Sequence, residues 1–161
     1  MRKSLLFLIA AWAVFLYHPL WARDILLGIG GRVGATIDPD QVHVGLHLDL
    51  GELYERVRLQ PNIELGVGSG RTVVAINPEV LYLFNPKGSW TPYAGGGLGL
   101  NIVNYDEAKF MISDMEFEVG LNLLGGFETR VSRVARLFFE CKLGVADSPD
   151  LKTSTGLTFT L

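Results

Sequence analysis

The stretch WTPYAGGGLGLN, Trp90 to Asn101, decides how the chain folds. Read in alternation, Ala94, Gly96, Leu98, Leu100 and Ile102 form one row, and Tyr93, Gly95, Gly97, Gly99 and Asn101 form the other. The first row is small or oily. The second is nearly bare glycine and ends in an amide. Glycine weakens a strand unless something approaches its backbone closely. The crowded inner wall of a narrow barrel supplies that reason, because small residues there leave room for large ones across the lumen.

The same alternation runs through the rest of the chain, in about eight runs separated by turn residues. In Ile25 to Ile37, Leu27, Ile29, Val33 and Ala35 oppose Gly28, Gly30, Arg32 and Gly34. In Gln41 to Leu50, Val42, Val44, Leu46 and Leu48 oppose His43, Gly45, His47 and Asp49. Gly51 to Arg58 reads as a charged connection. Ile63, Leu65 and Val67 then oppose Asn62, Glu64 and Gly66, up to a tight turn at Gly68 to Arg71. The fourth run, Thr72 to Phe84, contains Pro78, which removes a ladder hydrogen bond and predicts a local bulge. Runs six to eight set Phe117, Val119, Leu121, Leu123, Phe127, Phe139, Cys141, Leu143, Leu157 and Phe159 against Glu116, Glu118, Asn122, Glu128, Arg130, Glu140, Lys142, Lys152 and Ser154.

Alternation alone does not say which row faces outward. Two features place the oily row outside, toward lipid. The polar row is glycine with isolated charges, not the mixture of a hydrated surface. The oily row is unbroken over about ten residues, the length of a tilted membrane strand. Closure into a barrel pairs every strand edge, which lipid demands. The expected fold is therefore an all-β, eight-stranded antiparallel up-and-down transmembrane barrel. Its lumen holds a structural polar network of Arg32, His43, His47, Asp49, Glu64, Glu79, Glu118, Glu128, Arg130, Glu140, Lys142 and Lys152. Tyr54, Tyr82, Phe84, Trp90, Tyr93 and Phe159 form an expected aromatic girdle at one rim. A soluble barrel with its oily row inside is the alternative.

Residues 1–22 are expected to be a cleaved export signal, leaving 23–161 as one barrel domain. Arg2 and Lys3 precede the uncharged run Leu5 to Tyr17, and Ala22 offers a small residue at the cut. The run is shorter than the roughly 20 residues a membrane helix needs. Because Arg2 and Lys3 are the only charges there, removal takes the net charge from −3 to −5. Such a chain has no electrostatic reason to bind nucleic acid. Cys141 is the only cysteine, so no intrachain disulfide forms.

The segment NPEVLYLF, a short turn and WTPYAGGGLGLN resemble the outer membrane β-barrel domain family of small porin-like proteins, built like OmpA and OmpX. The C-terminal Ser154, Gly156, Phe159 and Leu161 resemble the assembly signal of such barrels, although the last residue is usually aromatic. The resemblance implies a Gram-negative outer membrane reached by signal-peptide export. It implies outer membrane lipids and lipopolysaccharide as surroundings, with the barrel assembly machinery and periplasmic chaperones as partners. It implies a monomer without cofactor, and no single activity. With both termini periplasmic, the outer connections are Asp38 to Gln41, Gly68 to Arg71, Tyr105 to Asp114 and Asp147 to Asp150. Three of them are tight, which weakens an adhesin reading.

His43 and His47 share a face, but four residues along a strand span roughly 13 Å. One metal ion with bonds of about 2 Å does not bridge that distance. Ser69 with His43 and Glu64 is the best candidate for a lipid A-modifying triad. Ser69 nevertheless lies in a Gly-Ser-Gly turn, and the chain lacks the His-x-Ser pattern of the deacylases. Gly95, Gly97 and Gly99 do not open a helix or precede a Lys-Ser/Thr pair, so they are no phosphate loop. The expected function is a non-enzymatic barrel with a structural or envelope role, or at most a very narrow pore. The alternatives are passage of small apolar molecules, supported by Leu26, Leu81 and Leu124, and the lipid enzyme.

Overall fold

The computed structural model describes residues 27–38, 40–105, 115–146 and 151–161. The expected signal at 1–22, Leu26, the loop-tip residues Phe110, Met111 and Ile112, and the turn at 147–150 lie outside them. Eleven strands are described: β1 (Gly28–Ile37), β2 (Gln41–Asp49), β3 (Glu52–Tyr54), β4 (Val57–Leu59), β5 (Asn62–Gly68), β6 (Arg71–Asn77), β7 (Glu79–Leu83), β8 (Trp90–Asn104), β9 (Met115–Arg130), β10 (Ala135–Ala146) and β11 (Leu151–Thr160). They form one antiparallel sheet that closes on itself. β1 pairs with both β2 and β11, and β8 pairs with β9, so the wall has eight staves.

Three staves are each broken in two. Pro78 separates β6 from β7, yet Ile76 pairs with Leu100 and Glu79 with Gly97, so the register against β8 is unbroken. The bulge expected at Pro78 is therefore not formed. The Pro78 carbonyl still accepts from Leu98 N at 3.3 Å, and only the proline's own missing donor interrupts the ladder. Gln60 and Pro61 divide β4 from β5 in the same way. The charged connection expected over Gly51 to Arg58 is instead the strand pair β3–β4, with a register shift between Glu52 and Tyr54. Its turn shrinks to Glu55 and Arg56. At the other end, Ser69 and Gly70 both have positive φ, 53° and 71°, as a two-residue hairpin with a type I′ turn requires.

Sidedness is the decisive feature. Val42, Val44, Leu46, Phe117, Leu121, Leu123 and Leu143 are exposed on the outer surface. Arg32, His43, His47, Glu64, Glu79 and Lys142 are buried in the centre. The side chains of the outer oily row point away from this centre. The apolar surface covers the whole wall, far more than a soluble monomer leaves exposed.

The glycines explain how large groups fit inside. Gly34 lies directly opposite His43, Gly126 opposite Tyr93, and Gly156 opposite Phe138. A Cβ on these glycines would stand 2.6 Å from His43 Nε2, 2.7 Å from Tyr93 Cζ and 2.8 Å from Phe138 Cε1. In the opening stretch, Gly95 makes room for Leu81 and Gly97 for Glu79, each side chain within 2.9 Å of the missing Cβ. Large faces small across each ladder, as a narrow barrel needs.

Candidate functional site

The lumen is the only place where the described residues gather chemistry, and it is organised as two charge-balanced clusters. The first lies at mid-barrel. Glu64 on β5 accepts from Arg32 Nη1 at 3.2 Å, Lys142 Nζ at 3.3 Å and Lys152 Nζ at 2.9 Å. Arg32 Nη1 also donates to Glu140 at 3.1 Å, and Lys142 Nζ lies 2.6 Å from Glu79 Oε1. Three cations therefore face three carboxylates. The Arg32 guanidinium sits 5.3 Å from the Phe138 ring centroid, where the π face supplies further negative potential.

The second cluster lies at the end where β1 begins and β11 finishes. Arg58 donates to both oxygens of Glu128, at 2.8 and 3.0 Å, and its Nε is 3.6 Å from Asp49. Arg136 donates to Asp49 and reaches Glu128 at 3.4 Å. Two guanidinium groups thus face two carboxylates, and the forked geometry suits bidentate pairing. Asp49 also accepts from Gly51 N at 2.9 Å, which fixes the β2–β3 break.

An amide ladder links the first cluster to the wall. Asn122 donates to Asn77 at 3.0 Å, Asn77 to Asn62 at 2.8 Å, and Asn62 to Glu79 at 2.6 Å. Leu81, Leu83, Tyr93 and Leu124 form a buried apolar cluster beside it. Tyr93 bridges the two environments, since its hydroxyl donates to Glu140 at 3.1 Å. Tyr93→Phe is expected to lower stability by about 1.5–3 kcal/mol, the range for a hydrogen bond to a charged group. Urea unfolding of the vesicle-embedded barrel measures this.

Ten of the twelve residues expected in the network are buried, namely Arg32, His43, His47, Asp49, Glu64, Glu79, Glu128, Glu140, Lys142 and Lys152. The other two differ. Arg130 shares their parity but sits at the rim, opposite Arg136 in the β9–β10 register. It is exposed and lines a cup of about 220 Å³ at the barrel mouth with Asp49, Glu52 and Arg58. Glu118 is half-buried toward the opposite end. Tyr93, expected in the girdle, is 4% exposed and points inward. The other five expected girdle residues lie on the outside: Tyr54, Tyr82, Phe84 and Phe159 are exposed, Tyr82 and Phe84 stack edge to face at 5.1 Å, and Trp90 packs with Phe127 and Phe139, which the girdle had not included. Arg58 and Arg136 are luminal residues that the sequence pattern did not single out. Both share the parity of inward neighbours, Asn62 and Glu140, and that parity is the signal that could have found them.

The two histidines are engaged with hydroxyls. His43 Nδ1 lies 3.0 Å from Thr36 Oγ1 and its Nε2 3.0 Å from Ser154 Oγ, while His47 Nε2 lies 2.8 Å from Thr158 Oγ1. The grouping of Ser69, His43 and Glu64 is not assembled. Ser69 is in an exposed turn, where its hydroxyl donates to the Asp40 carbonyl at 2.9 Å. His43 meets Ser154 instead, and both are buried in the lumen. Of the C-terminal residues, Ser154 and Gly156 serve packing of the interior, and Phe159 and Leu161 are exposed.

No protein family and no curated protein matches the chain. Several solved structures share its fold. Neisserial surface protein A is 13% identical with a TM-score of 0.63, over 84% of this chain and 96% of that one. The N-terminal β-barrel domain of Pseudomonas aeruginosa OprF is 11% identical with a TM-score of 0.61, over 85% and 98%. The Yersinia pestis outer membrane protein Ail, in a phospholipid bilayer nanodisc, is 10% identical with a TM-score of 0.51, over 84% and 99%. The chain has the fold of the small outer-membrane β-barrels. At these identities the likeness concerns the fold, and the barrel's own interior must carry any statement about what it does.

Proposed function

We propose that this outer-membrane-type barrel is a sealed, non-enzymatic envelope protein that spans the outer membrane of a Gram-negative cell. In this reading residues 1–22 direct export, the termini face the periplasm, and Ser154, Gly156, Phe159 and Leu161 contribute to recognition by the assembly machinery. The single observation that carries it is the filled lumen. Two neutral ion-pair clusters, the Asn62–Asn77–Asn122 ladder and the Leu81–Leu83–Tyr93–Leu124 cluster occupy the space a conducting path would need. An eight-stranded barrel has an interior just wide enough for side chains. Passage of apolar molecules has less support, because the luminal leucines pack against Tyr93 and fill the space.

Planar-bilayer recording tests the proposal. The folded protein is expected to give no steady conductance approaching that of a wide general porin, and such a conductance would contradict a sealed interior. Cell fractionation with heat-modifiable gel migration tests location: the protein is expected in the outer-membrane fraction, migrating faster unheated than boiled.

A further inference from the structure

The end of the barrel where β1 begins and β11 finishes carries an outer patch that plays no part in the sealed interior. The turns at 84–89 and 131–134 lie side by side there, because β8 and β9 pair from Trp90 and Thr129 onward. Thr129 Oγ1 ties them together by donating to the Ser89 carbonyl at 2.8 Å. Lys87 and Arg133 are exposed in these turns. Neither turn contains an Asp or Glu. Directly below, on the outer wall, Trp90, Phe127 and Phe139 pack together with ring centroids 5.1, 5.6 and 6.3 Å apart. Val131 and Val134 are exposed at the same edge.

We propose that this patch holds the headgroup of an anionic phospholipid, with Lys87 and Arg133 at the phosphate level and the Trp90–Phe127–Phe139 cluster against the glycerol and first acyl carbons. The inference rests on the reading that the barrel spans a bilayer. Charge complementarity selects the occupant. Cations at a membrane surface attract anionic lipids, and aromatic rings favour the headgroup boundary. A zwitterionic headgroup brings its own cation and gains less from the patch. A soluble polyanion would satisfy the cations but leave the ring cluster unused.

The chain has three tryptophans, Trp12, Trp21 and Trp90. The full chain carrying W12F and W21F therefore reports from Trp90, inside the patch. It is folded into phosphatidylcholine vesicles with a minor fraction of brominated phosphatidylglycerol, or the same fraction of brominated phosphatidylcholine. Brominated phosphatidylglycerol is expected to quench Trp90 more strongly, with the preference shrinking as salt screens the patch. Occupancy should fall roughly fivefold for each cation removed. K87Q/R133Q should thus abolish the preference, while R71Q, at the opposite end, retains it. Equal quenching by the two lipids overturns the inference, as does a preference that survives K87Q/R133Q. No quenching by either lipid, with no heat-modifiable migration, overturns the membrane-spanning reading itself.

Discussion

Glu64→Gln is expected to cost about 3–5 kcal/mol of stability, the range for breaking a buried ion pair from one side. Glu64 contacts all three cations, Arg32, Lys142 and Lys152, and its side chain is 1% exposed. The glutamine keeps the size and one carbonyl oxygen. It leaves three buried cations facing only Glu79 and Glu140. The penalty comes from uncompensated charge, so it should be recovered by restoring neutrality. E64Q/K152M is expected to regain at least half of the loss, a coupling within the range of about 0.5–3 kcal/mol seen for contacting residues. Glu52→Gln, an exposed carboxylate at the mouth, should stay within about 0.5 kcal/mol of the parent. Urea titration of the barrel in lipid vesicles reads all three. A loss below about 1 kcal/mol for E64Q would mean that water reaches the cluster, and the sealed lumen would then be untenable.

The distribution between wall and lumen was legible because a strand has only two faces. Once Gly95, Gly97 and Gly99 are taken as inward, parity carries the assignment along β8 and, through each uninterrupted run, along the other strands. It fails where the run is interrupted. Arg58 sits beyond Gln60 and Pro61, which hide that Leu59–Val80 and Asn62–Asn77 keep one register. Arg58 therefore has the parity of Glu64, although its neighbours read as a loop. Tyr93 failed for a different reason. It belongs to the glycine row, which points inward, but its closeness to a turn suggested a rim aromatic. The row was the stronger signal, because Gly126 leaves the space its ring fills. The pairing within the lumen was not legible at all. Arg32 meets Glu64 and Glu140, 32 and 108 residues away, and only the register between staves sets those distances. A sequence specifies which charges are enclosed, while the shear of the closed sheet specifies which of them touch.

Gly125 and Gly126 offer the sharpest test of that geometry, since they are chain neighbours with opposite fates. Gly126 faces the lumen. A Cβ there would meet the Tyr93 ring at 2.7 Å and collide with the Phe139 carbonyl of the adjacent strand. The carbonyl belongs to the ladder and cannot rotate away. Gly126→Ala is therefore expected to cost about 3 kcal/mol or more, at or beyond the upper end of overpacking penalties. The variant should fail to acquire heat-modifiable migration. Removing the ring should not rescue it, so G126A/Y93A is expected to remain unfolded. Gly125 faces outward, and a methyl carbon placed on it would stand 3.8 Å from its nearest neighbour, the Tyr93 carbonyl. Gly125→Ala should fold like the parent, with a gain of up to about 1 kcal/mol from the reduced freedom of the unfolded chain. If both variants folded alike, the inner wall would be looser than its glycines require. Tyr93 would then have room to move, and the lumen would no longer be closed at that level.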